Sequence, residues 1–179
     1  MIAPSIMAAL TLLAAQPPEA SGEVRSYNAD LTSTEWQAVQ LMRLTGVWRG
    51  GDNITPNMPL RWAISETLAG PPEPDTPLQN GWRLSSACRH NSCDEKAAVI
   101  WDDQDRIRAA ALIHFRCSAP GWLPSGARAC DNEPSLTIIQ YPEDAARTRQ
   151  PLLDWANRHI EIGAVEYLLA ACNPDATCS

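Results

Sequence analysis

The passage from Trp82 to Arg116 constrains the fold more than any other stretch of the chain. Trp82 to Cys88 reads as a strand, and Cys88 to Cys93 as a tight loop around four polar residues. Ala97 to Trp101 reads as a second strand, and Asp102-Asp103-Gln104-Asp105 as a solvated hairpin turn. Ile107 to Arg116 then alternates, with Ile107, Ala109, Ala111, Ile113 and Phe115 on one side. Arg108, Ala110, Leu112, His114 and Arg116 fall on the other. Three strands joined this closely form an antiparallel meander, with one face turned to a core.

Around this centre the chain alternates between helix and strand signals. Thr32 and Glu35 are spaced as a capping box, Trp36, Val39 and Met42 follow at helical spacing with Leu44 as a further candidate, and Gly46 is a natural stop. Leu60 to Ile64 alternates like a short strand, and Gly70 to Gly81, with four prolines, reads as a surface loop. Ser135 to Tyr141 reads as a further strand. Pro151 sits where a first-turn proline belongs, with Leu152, Trp155, Ala156 and His159 tracing one helical face after it. Residues 162–171 are ambiguous between strand and helix. The expected architecture is α+β: an antiparallel sheet made of the meander at about 82–116 plus strands near 60–64 and 135–141. Helices cover one face, and disulfides stabilise the whole.

The beginning of the chain reads as an export signal. Ile6 to Ala15 is a short apolar run followed by Gln16-Pro17-Pro18, too short to span a bilayer. The expected organisation is a signal peptide at 1–15, a polar leader at 16–31 and a single domain at 32–179. The six cysteines, Cys88, Cys93, Cys117, Cys130, Cys172 and Cys178, all follow the signal and permit fifteen pairings. Neighbour pairing (88–93, 117–130 and 172–178) is the simplest, since each bridge then staples a short local loop. An oxidising compartment, periplasmic or extracellular, accommodates them.

A net charge of −7 over 179 residues argues against nucleic acid as a partner and suits a cationic one. Thirteen of the fourteen basic side chains are arginine; Lys96 is the single lysine. The chain carries no nucleophile elbow, zinc-protease, P-loop, dinucleotide or EF-hand signature, and nothing assembles a nucleophile, a base and an orienting group. The expectation is a protein that is not an enzyme and that uses neither cofactor nor metal. Cys88, His90 and Cys93 lack a second ligand pair for zinc, so a structural disulfide is favoured. Trp48 and Trp122, both beside glycines, are expected in the core.

The candidate partner-binding group is the loop Arg89, His90, Asn91 and Ser92. Closed by Cys88–Cys93, it would carry a cation, an imidazole, an amide and a hydroxyl on a ring with little conformational freedom to lose on binding. Arg89 is suited to fork onto a carboxylate, and His90 or Asn91 to donate to another. A stapled turn with incidental polar residues accounts for the same residues equally well.

Ser86-Ala87-Cys88, four enclosed polar residues, Cys93 and a strand ending in Trp101 resemble the inhibitor of vertebrate lysozyme (Ivy-type) family. The resemblance covers about 35 residues, Trp82 to Arg116. It implies a periplasmic α+β protein whose disulfide-closed loop enters the active-site cleft of a lysozyme-type glycosidase, a loop histidine hydrogen-bonding the catalytic carboxylates. This chain departs from the family pattern at one point. Histidine is second of the four enclosed residues, as His90, and Asn91 stands where the family has its histidine. The alternative is a non-inhibitory periplasmic binding or structural protein on the same scaffold.

Overall fold

The computed structural model describes residues 35–48, 58–117 and 130–170. Helix α1 (Glu35–Thr45) ends where expected, with Gly46 at φ +53° directly after it. Glycine adopts that left-handed conformation without steric cost, so the helix stops there. Its buried face is Gln40, Leu41, Leu44 and Thr45; of the expected stripe Leu44 is buried, Val39 is half-buried and Met42 is 45% exposed.

Residues 60–64 are not a strand. They open helix α2 (Leu60–Leu68), which buries Leu60, Ala63, Ile64, Thr67 and Leu68 and leaves Trp62 60% exposed. That spacing is helical, but it emerges only over the full nine residues. A five-residue window shows two apolar ends and reads as alternation.

The sheet has six strands in sequential order: β1 (Thr76–Pro77), β2 (Arg83–Arg89), β3 (Ser92–Trp101), β4 (Ile107–Cys117), β5 (Cys130–Gln140) and β6 (Ala164–Leu169). The meander β2–β3–β4 is antiparallel and β5 continues it. β6, the ambiguous segment, is a strand and pairs with β5 in parallel, so the sheet is mixed. The parallel step requires a crossover, and helix α3 (Ala145–His159) supplies it.

Helices lie on both faces, not one. On the first face Leu41, Leu44, Leu60, Ile64 and Leu68 pack on Ala97, Val99, Trp101, Ala110 and Leu112. On the second, Leu152, Trp155 and Ala156 of α3 pack on Ala98, Ile100, Ala111, Ile113 and Ile138. Two apolar faces are what a strand buried on both sides requires. β4 has them because its second face carries Ala110 and Leu112. Ile107 also moves to that face, since a register shift between Ile100 and Trp101 breaks the simple alternation. Trp48 is 44% exposed, not core, while Trp122, Cys172, Cys178, the proposed signal and the capping residue Thr32 fall outside the described residues.

Helix α3 begins at Ala145, so Pro151 is interior to it and not at its first turn. A proline there has no N–H for the carbonyl of Arg147 and disfavours the helix by about 3 kcal/mol relative to alanine. No helix among the described residues is long and apolar enough to cross a membrane.

Candidate functional site

The loop singled out by the sequence is a β-hairpin tip. Arg89 pairs with Ser92, leaving His90 and Asn91 as the two-residue turn, and Asn91 lies at φ +64°, a conformation asparagine tolerates better than most residues. The next pair is Cys88 with Lys96, so Cys93, Asp94 and Glu95 bulge from β3 between the two pairs. The Cys88–Cys93 disulfide closes this bulge, with the two Cα atoms 4.7 Å apart. Cys130 is also disulfide-bonded, and its register partner across β4–β5 is Cys117.

The root of the hairpin is seated by a strap running from Gly70 to Pro77. Cys88 N–H donates to the Pro71 carbonyl at 3.2 Å, Pro72 bridges Ala87, and Glu73 N–H donates to the Ser86 carbonyl at 2.8 Å. Gly70 permits the approach. A Cβ there would lie 1.9 Å from the Cys88 carbonyl oxygen and 2.8 Å from the His90 nitrogen.

Arg89 is engaged inside the chain. One guanidinium nitrogen donates to Oε2 of buried Glu95 at 2.9 Å and another to Oε1 of Glu66, on α2, at 3.2 Å. The hydrogen bond to Glu95 raises its pKa above the ordinary arginine value, with the charge of Glu66 adding to it. Arg89 therefore fastens the tip to the helix layer. His90 and Asn91 are exposed and Ser92 is half-buried, so the imidazole and the amide are the groups the tip presents outward.

Behind the hairpin, Glu73 gathers three donors. Ser86 Oγ and Lys96 Nζ each approach it at 2.5 Å, and His159 Nε2, at the end of α3, lies 3.2 Å from Oε2. Burial works to raise the Glu73 pKa, but the hydrogen bonds from Lys96 and Ser86, with the charge of His159, outweigh it and hold the carboxyl below its usual range. Burial lowers His159, and Glu73 only partly offsets that. His159 also meets Trp155 edge-on at 5.7 Å. The third histidine, His114, is buried in β4 with Nε2 2.9 Å from Thr137 Oγ1; it follows Ile113, the register partner of Lys96, and so lies at the hairpin end of the sheet but inside it.

Sequence reasoning located the four loop residues and missed their supports. Glu66 lay just past the segment read as a short strand, in residues given no reading, and Glu73 and Gly70 in a loop read as surface. The one signal available was a glycine directly preceding two prolines, which marks a stiff, closely fitted segment. Comparison of the chain with protein-family models, with curated proteins and with solved structures finds no match.

Proposed function

We propose that this protein is an exported lysozyme-inhibitor-like protein, and that the 88–93 hairpin plugs the active-site cleft of a lysozyme-type glycosidase. One observation carries the reading: His90 and Asn91 stand exposed at the tip of a hairpin closed by a disulfide and braced by Arg89. Such glycosidases work with two carboxyl groups flanking the scissile bond. An imidazole N–H and an amide NH₂ are donors of the right kind for them. A tip already fixed in shape loses little entropy on entering the cleft. The net charge of −7 favours encounter with a cationic enzyme.

The test is turnover of cell walls by a vertebrate-type lysozyme with oxidised protein added. Inhibition is expected. Replacing His90→Ala together with Asn91→Gly, where glycine keeps the positive φ without strain, is expected to weaken it at least tenfold, about 1.4 kcal/mol. An unchanged rate at excess protein rejects the reading, and full inhibition by the double variant removes the tip from the contact.

A non-inhibitory envelope binding protein is the second reading. The observation in its favour is that Arg89 already answers to Glu66 and Glu95, so the tip offers less positive charge than its sequence implies. Co-purification of a non-hydrolase partner from a periplasmic extract, with no lysozyme affinity, would select it.

A further inference from the structure

We infer that the groove between the β1–β2 turn and helix α3 is a binding site for a neutral saccharide. The groove encloses about 460 Å³, within the span of small-molecule sites, about 300–1,000 Å³. Pro77 and Pro151 supply its accessible apolar part, and Asn80, Arg147, Gln150 and Asp154 its polar part. It is separate from the hairpin: Trp82 precedes β2 and Cys88 lies near its far end, roughly 20 Å along the strand.

The chemistry of the lining narrows the ligand. Arg147 and Asp154 carry opposite charges, so the groove favours neither an anion nor a cation. Asn80 and Gln150 bear amides, which donate and accept at once and so match hydroxyl groups, which do the same. Gln150 is already fixed, its Nε2 donating to Asp154 Oδ1 at 2.7 Å.

Competing ligands fit less well. Trp82 is only 9% exposed and the Arg147 guanidinium lies 5.1 Å from its ring centre, so no open aromatic face remains for a nucleobase to stack on. An extended peptide added to β1 would meet Pro77, which has no N–H to give. A pyranose ring asks for neither. It needs an apolar contact for its C–H face and paired donors and acceptors around its rim, and the groove provides both.

The experiment titrates triacetylchitotriose, cellotriose and maltotriose into the oxidised protein, followed by calorimetry and tryptophan fluorescence. Saturable binding of at least one, with a Kd of about 1 mM or tighter, is expected. Gln150→Ala and Asp154→Ala change exposed side chains and leave the circular dichroism intact. Each is expected to weaken binding about tenfold. Pro151→Ala, which removes ring carbons from the apolar wall of the groove, is expected to weaken it too. His90→Ala is expected to leave it unchanged, so the groove is scored apart from the hairpin. Absence of binding by all three sugars overturns the inference, as does binding that the groove variants do not diminish.

Discussion

Replacing Gly70 by alanine tests how the hairpin is held. The added Cβ would sit 1.9 Å from the Cys88 carbonyl oxygen and 2.9 Å from the Arg89 carbonyl carbon, both backbone atoms that cannot turn aside. The strap and β2 must therefore separate by ~1 Å or more in an interior with no slack. Separation strains the Cys88-to-Pro71 hydrogen bond and the Pro72–Ala87 bridge. Overpacking of this kind costs about 1–3 kcal/mol, and a weakened hydrogen bond about 1 kcal/mol more. A loss of roughly 2–4 kcal/mol in a chain of this size lowers Tm by about 5–10 °C. Thermal unfolding of the oxidised protein by circular dichroism reads it. Gly163→Ala is the control, because its close neighbour is chiefly the Glu133 side chain, which can move, and a change within about 2 °C is expected. If Gly70→Ala also unfolds within about 2 °C of the parent, backbone contact at the strap does not seat the hairpin.

Removing the staple with Cys88→Ser and Cys93→Ser should cost about 2 kcal/mol, the chain-entropy value for so small a ring, measured as a lower denaturant midpoint. Glu73 and His159 both have depressed pKa values, so the stability each contributes is complete above its unfolded value, 4.5 and 6.5, and is lost as pH falls through the folded one. Denaturant unfolding should therefore show stability falling as pH drops below 6.5 and again below 4.5, and Glu73→Gln should flatten the lower step; an unaltered slope would dissociate Glu73 from it. Pro151→Ala restores a helical hydrogen bond in α3 and should raise stability by up to about 3 kcal/mol, seen as a higher Tm. An unchanged or lower Tm would mean that the helix already compensates for its proline.

Short-range pattern carried much of the fold. β2, β3 and β4 stand within a few residues of where hydrophobic alternation puts them, β3 beginning earlier at Ser92, and Gly46 ends α1 because one residue's conformational freedom decides the matter. The Cys88–Cys93 closure was legible for the same reason: the ring is five residues in separation, and local geometry brings its ends together. Helix α2 was misread because nine residues are needed to distinguish its spacing from alternation, and helices on a second face were missed because Ala110 and Leu112 looked like the solvent side of a strand.

The sequence by itself determined the hairpin, its enclosed residues and the charge of the chain, all properties of neighbours along the backbone. Tertiary structure alone decided which of those residues remain available. Arg89 meets Glu66, and Lys96 meets Glu73, each across 23 positions. Ion pairing depends on distance in space, and a one-dimensional pattern holds no record of which distant carboxylate the fold brings within reach. The same reason places Pro151 inside a helix and over a groove: where α3 begins is set by its packing on the sheet, not by the residue that by preference opens a helix.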